Sequence, residues 1–342
     1  MVLVVAGCVT PPPSGFLAYS APVTGAVDVI TGIPVCGGLG GPGATGLAAG
    51  GTWFYVTDAC TGRVYRYRAG TVPMALASSA DDNVTGGVAV FEGWLYGVTP
   101  ANKAGVRPGL YAFDPLTLRR VKLVVAQPEG CLFRTVVAAG VLYLPGDCGL
   151  LQVTGPAAAV PLVVQLATGN LGAATVAPGG DVWALDLAHS RLIQYRPAPL
   201  APPWHAVAAV PLADGPTGVV SACSAAPPAL AGDLLVNNAD GVLSLVDLHR
   251  HGAVSILASG GLHGADLACG PDGNLYVTQA SRVQRMLFSG LGTGEGRAGA
   301  GGDPAGHAVY PLVLSGGLLA VSLVGLLSWR IAGRRRRGGA RP

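Results

Sequence analysis

The sequence predicts an all-β chain, a six-bladed β-propeller followed by one C-terminal transmembrane helix, and three observations carry that reading. A turn followed by an apolar-aromatic strand recurs six times along the chain. The recurrences are spaced as propeller blades are. Glycine and proline, at 53 and 27 of 342 residues, fill nearly a quarter of the sequence, as many tight turns between strands require.

The six segments are GGTWFYVTD (50–58), EGWLYGVT (92–99), AGVLYLPGD (139–147), GGDVWALD (179–186), AGDLLVNN (231–238) and DGNLYVTQ (272–279). With Phe54, Leu95, Leu142, Val182, Leu234 and Leu275 as equivalent positions, the spacings are 41, 47, 40, 52 and 41 residues. Each unit has an apolar strand before the motif, such as Gly46–Ala49 or Ala265–Ala268. An alternating strand follows it, such as RVYRYR (63–68) or RLIQYR (191–196). Period-2 alternation marks a half-buried strand. The sixth unit has only three strands before a glycine-rich stretch begins at Ser289. FLAYSAPVTGAVDVIT (16–31) is strand-like and otherwise unplaced, so it is expected to close the last blade and cover its edge. The propeller is thus assigned to residues 16–288.

Composition narrows the class. Half the residues are hydrophobic, which excludes an intrinsically disordered chain. The net charge of +3 is set by six arginines in the last thirteen residues, so the body of the chain is net negative. Nucleic-acid binding would need a basic patch on the folded domain, and the sequence argues against it.

The C-terminal region reads as a membrane address. Ala308–Trp329 is uncharged over 22 residues, roughly 33 Å as a helix, against about 30 Å of hydrocarbon. Pro311 suits a helix start, and Tyr310 and Trp329 bracket the run as interfacial aromatics. The transmembrane helix is placed at 308–331, a glycine-rich tether at 289–307 and an arginine-rich cytoplasmic tail at 332–342. The propeller is then extracytoplasmic, on a single-pass cell-membrane protein. At the other end, residues 1–15 read as the remnant of a signal segment with a proline-rich linker. Val5-Ala6-Gly7-Cys8 resembles a bacterial lipoprotein cleavage box, which would make Cys8 a lipidated residue.

Six further cysteines suit three bridges, with metal ligation and free thiols as the competing uses. Cys36 and Cys60 occupy the same two places in blade one as Cys131 and Cys148 in blade three, so each pair is geometrically reasonable. Cys223 and Cys269 lie late in the first strands of adjacent blades and form the remaining pair. Disulfides imply an oxidising compartment.

YVTDACTGRVYRY (55–67) and VWALDLAHSRLIQY (182–195) resemble NHL repeats, and PDGNLYVTQ (271–279) resembles the related SMP-30/gluconolactonase group. The resemblance spans about residues 40–288 and implies the six-bladed fold, on which many functions occur. It implies that Asp58 with Arg63, and Asp186 with Arg191, clamp neighbouring hairpin strands. It also implies a divalent cation on the axis, held by a Glu from the first blade and by Asn and Asp from later ones.

In propellers such ligands come from the openings of the innermost strands. Here those openings carry Thr45, Thr85, Arg134, Asn170, Thr217 and His263, with no carboxylate among them. Asn170 and Asp266 are the candidate metal ligands if the chain is a lactonase-type hydrolase. Otherwise no cofactor is expected. His249-Arg250-His251 reads as an exposed strand with two histidines on one face, and Asn237–Gly241 as a hairpin turn. The favoured function is a non-catalytic binding or scaffold module. Its axial face (Thr45, Thr85, Arg134, Asn170, Thr217, His263) would meet a polar small molecule or an envelope protein. The alternative is a metal-dependent lactonase-type hydrolase.

Overall fold

In a computed structural model, the described residues are 15–35, 43–68, 76–78, 80–100, 105–158, 160–197, 203–213 and 215–289. They fold as six antiparallel sheets set around one axis, a six-bladed β-propeller. From the axis outward, blade one runs Ala44–Gly50, Trp53–Asp58, Arg63–Arg68 and Leu76–Ala77. Blade two runs Val88–Phe91, Trp94–Thr99, Gly109–Phe113 and Arg120–Ala126. Blade three is Val137–Ala138, Leu142–Gly146, Gly149–Thr154 and Leu162–Ala167. Blade four is Leu171–Val176, Val182–Asp186, Arg191–Tyr195 and Ala206–Pro211.

The last two blades share the N-terminal segment. Blade five comprises Pro216–Ser221, Leu234–Asn238, Leu243–Asp247 and Ala253–Ser259. Blade six comprises Gly264–Cys269, Leu275–Gln279 and Arg282–Phe288, and Val23–Ile30 pairs antiparallel outside it. Ala18–Tyr19 pairs instead with Ala258 and Ser259, as a fifth strand on blade five. The segment therefore splits at Ala21-Pro22, where proline offers no N–H to continue a ladder. Val23 N–H donates to Ser20 O at 2.9 Å across that turn.

The repeated residues explain the repeated structure. Each motif turn carries a glycine at positive φ, between +58° and +91° at Gly51, Gly93, Gly140, Gly180, Gly232 and Gly273. Only glycine takes that conformation without steric cost. The six aligned residues from Phe54 to Leu275 are all at most 1% exposed. Their strands alternate sides, and the buried faces of neighbouring blades interlock. Between blades six and one, Ile30, Tyr276 and Val283 pack with Leu47, Phe54 and Val56, and the Phe54 and Tyr276 rings lie 4.5 Å apart. Ala44 N–H donates to Ala280 O at 3.1 Å across the same seam.

Bridges Cys131–Cys148 and Cys223–Cys269 are present, with Cα atoms 5.4 and 5.3 Å apart. Cys60 is also disulfide-bonded. Its expected partner Cys36 lies outside the described residues, as do Cys8, the helix at 308–331, the arginine tail and all of the tether but Ser289. Among the described residues no helix is long and apolar enough to cross a membrane.

Candidate functional site

The openings of the innermost strands converge on one mouth of the axis. Thr45, Thr85, Arg134, Thr217 and His263 line a single cavity of about 290 Å³, together with Thr135, Leu187 and Asp266. Asn170, the sixth predicted residue, accepts a hydrogen bond from Arg134 Nη2 at 3.2 Å. The six positions are thus brought together, but their chemistry differs from residue to residue.

The threonines are partly occupied by the fold. Thr45 Oγ1 donates to Thr85 O (3.0 Å), and Thr217 Oγ1 is 2.9 Å from Asn237 O and 3.0 Å from Gly264 O. A hydroxyl has one proton, so both threonines are left with lone pairs only for the cavity. The glycine after each serves the same seam. A Cβ on Gly46 would meet Gly87 Cα at 2.8 Å, and one on Gly218 would meet Ala265 O at 2.7 Å. The Thr-Gly pairs let the next blade approach and then bond to it.

Arg134 supplies the cation. Its Nη2 lies 3.4 Å from Asp147 Oδ1, with both side chains about one-third exposed, so this pair is weak. Its Nε is buried without a partner. His263 is exposed at the mouth, in a left-handed backbone conformation (φ +32°). The turn beneath it is fixed by Gln279, whose Oε1 accepts from Leu262 N–H at 2.8 Å.

Asp266 lies deeper and faces the axis. It lines the mouth cavity and also a second cavity of about 200 Å³ beyond it. Its Oδ2 accepts from Leu47 N–H and its Oδ1 from Leu267 N–H, both at 2.9 Å. Asp266 is partly buried, with channel space on its open side. That burial pushes its carboxyl up to about 6, against the two backbone hydrogen bonds that favour ionisation. Asn237 and Thr278, both buried, hold its backbone: Asn237 Nδ2 donates to Asp266 O at 3.3 Å, and Asp266 N–H to Thr278 Oγ1 at 2.7 Å. Sequence reasoning missed these two. Their only signal was a polar pair closing an otherwise apolar strand, in LLVNN and LYVTQ.

The donor set does not fit the divalent cation that the resemblance implies. Hard cations take six or more oxygens, several of them carboxylate. Asp266 is, among the described residues, the one carboxylate lining the mouth cavity, and Asn170 turns its carbonyl oxygen to a guanidinium. Among the described residues no group of three His, Cys, Asp or Glu side chains gathers to hold a metal.

The clamps implied by the resemblance divide. Asp186 pairs with Arg191 Nε at 2.9 Å and with His189 Nδ1 at 2.8 Å. Burial opposes its ionisation, but these bonds hold its carboxyl below the usual carboxylate value. Asp58 makes no ion pair with Arg63. It accepts instead from Cys60 N–H (2.8 Å) and the Thr61 hydroxyl (2.7 Å), which fixes the turn locally. The histidine strand is also corrected. Leu248–Arg250 is a 3₁₀ turn capped by Asp247, whose carboxylate accepts from Arg250 N–H at 2.9 Å.

A scan of protein-family models and a search of curated proteins return no match to this chain. Solved structures share its fold. The calcium-binding protein regucalcin from Agrobacterium tumefaciens aligns with a TM-score of 0.59 at 14% identity, covering 80% of this chain and 96% of its own. A gluconolactonase from Xanthomonas campestris aligns with a TM-score of 0.55 at 12% identity, covering 79% and 100%. A glucose dehydrogenase aligns with a TM-score of 0.59 at 14% identity, covering 78% and 100%. The structural neighbours are six-bladed propellers of the SMP-30, gluconolactonase and regucalcin kind. Three different activities on one fold leave the function to the site.

Proposed function

We propose that this propeller handles a small polar molecule in its axial mouth cavity, outside the cytoplasm. The observation that carries the reading is the convergence of Arg134, His263 and the threonine lone pairs on one cavity of about 290 Å³, with Asp266 at its floor. Arg134 is a donor for a ligand carboxylate or carbonyl. Asp266 and the threonines are acceptors for ligand hydroxyl or amide protons. The bridges Cys131–Cys148 and Cys223–Cys269 support an oxidising compartment. Attachment through the segment at 308–331, and a lipid on Cys8, belong to the same proposal. Screening small hydroxy and keto acids against the propeller by calorimetry tests it, with Arg134→Gln as control. Binding that Arg134→Gln weakens at least tenfold supports the reading. A propeller that binds none of them but captures an envelope protein through this face would replace it with the scaffold.

Lactone hydrolysis is the second reading, and Asp266 favours it. A carboxyl that titrates near 6 is ionised at neutral pH yet basic enough to act as a general base. In that chemistry Asp266 takes a proton from water as the water oxygen adds to the lactone carbonyl. The proton then passes to the ring oxygen as the ring C–O bond breaks. Fold neighbours that act on small molecules support an enzyme more than a scaffold. Lactone turnover that rises through pH 6, and falls on the order of a hundredfold or more in Asp266→Asn, is the expected result. Turnover unchanged in that variant would remove Asp266 from any mechanism.

A further inference from the structure

Arg134 is held in the mouth differently from the threonines. Thr45 and Thr217 bond across a seam through their own hydroxyls. Arg134 has no hydroxyl, and its backbone rests instead on a short ladder. Phe133 bridges Gly146, Arg134 N–H donates to Pro145 O at 3.0 Å, and Asp147 N–H donates to Leu132 O at 3.1 Å. The same register, continued one pair past Leu132 and Asp147, sets Cys131 opposite Cys148. Their bridge closes the ladder, with Cα atoms 5.4 Å apart. The two segments approach so closely that a Cβ on Gly146 would meet Leu132 O at 2.4 Å. Alternation along the ladder makes Arg134 and Asp147 diagonal neighbours on one face, which brings Nη2 to 3.4 Å from Asp147 Oδ1. Regular pairing in this blade resumes only where Val137 meets Tyr143. The guanidinium end is tied separately, by Asn170 Oδ1 at 3.2 Å.

We propose that Cys131, Cys148 and Asn170 are positioning residues of the axial site, holding the Arg134 guanidinium where a ligand carboxylate or carbonyl meets it. This rests on the mouth being a small-molecule site and adds how its arginine is set. A long side chain that is free before binding loses rotamer entropy when a ligand orders it, and affinity falls by that amount. Here the bridge fixes the backbone from which the side chain springs, and Asn170 fixes its tip. Cys223–Cys269 provides the contrast, because Cys269 lines the second cavity and neither cysteine lines the mouth.

Glycolate, lactate and pyruvate are the probes, titrated calorimetrically into the propeller. Cys131→Ser/Cys148→Ser should weaken the acids about fivefold or more, and Asn170→Ala should act in the same direction. Neither change should weaken them further once Arg134→Gln is present, because both act through that side chain. A merely structural role predicts losses that add to that of Arg134→Gln. Cys223→Ser/Cys269→Ser should leave affinity within about twofold of wild type, although it removes a bridge that spans a longer loop. Asn170→Ala keeps every bridge, so it carries the test if the variant lacking Cys131 and Cys148 unfolds. Hydrogen exchange needs no ligand: the Arg134 and Asp147 amides should exchange faster in Cys131→Ser/Cys148→Ser, with the rest of the blade unchanged. Additive losses, or affinity unchanged in both variants, would overturn the positioning role and leave the mouth site standing. A wild-type propeller that binds none of the acids would remove the mouth site, and the positioning role with it, whatever the exchange shows.

Discussion

Burial of Asp266 beside the axis makes one residue a source of pH dependence in stability. Its carboxyl titrates at about 6 in the folded chain, against 3.8 when unperturbed. Below pH 3.8 both folded and unfolded states are protonated and the group is neutral to stability. Between there and pH 6 the unfolded state gives up its proton while the folded state keeps it. Stability then falls as pH rises, by up to about 3 kcal/mol from this group. Asp186 and Asp272, whose hydrogen bonds hold them low, act in the opposite direction and lose stabilisation on acidification. The difference between wild type and Asp266→Asn isolates the one term. Urea unfolding of both from pH 4 to pH 8 should show the wild type losing ground to the variant, and parallel curves would mean that Asp266 is not a titrating group in this range. In the sequence the residue stood only as a candidate metal ligand under the hydrolase alternative, three positions past His263. Side-chain direction there follows from register shifts between Gly264 and Leu267, which no local pattern encodes. The threonines failed differently. Their types and places in the mouth were legible, but the bonds that engage Thr45 and Thr217 come from residues about 40 and 47 positions away.

At the scale of elements, what was legible is what repeats. The turn glycine, the buried aliphatic residue after it and the polar residue closing the strand recur because each blade solves the same packing problem. Asp58, Thr99, Asp186, Asn238 and Gln279 are all buried at that closing position. The histidine turn at 248–250 was not legible as a turn, because its cap needs only Asp247 and a φ of +56° at His251. The N-terminal strand is the element whose removal is most informative. Val23–Ile30 covers the outer edge of blade six, and Asp28 there accepts from Gln284 Nε2 at 2.9 Å and pairs with Arg282. Phe16, Val23 and Ile30 are buried in the adjoining cores. At about 1.5–3 kcal/mol for each such side chain, their loss is comparable to the whole stability of a typical domain, about 5–15 kcal/mol. Deleting residues 16–31 should therefore abolish cooperative unfolding, while Ile30→Ala should cost about 2–5 kcal/mol and leave it cooperative. A truncated chain that still melts in one sharp transition would mean that blade six is stable with an open edge.

For the whole molecule, ring closure and compartment are linked through the Cys223–Cys269 bridge. It joins the ends of the innermost strands of blades five and six, the two blades that the N-terminal segment also ties together. A propeller ring opens by parting two neighbouring blades, and here the bridge and that segment hold the same seam. With its cysteines 46 positions apart in sequence, the bridge stabilises the fold by about 4 kcal/mol in the chain-entropy model, and Cys131–Cys148, 17 positions apart, by about 3 kcal/mol. Together these approach the stability of an ordinary domain, so a reducing cytosol would leave the ring marginal. The seam bridge should matter more than the other, because Cys131–Cys148 lies within one blade and closes nothing between blades. Replacing Cys223 and Cys269 with serine should lower the urea midpoint more than the same change at Cys131 and Cys148, and should increase proteolysis between blades five and six. Equal losses would mean that the seam is held by packing alone. In that case the bridge reports the compartment without securing the ring.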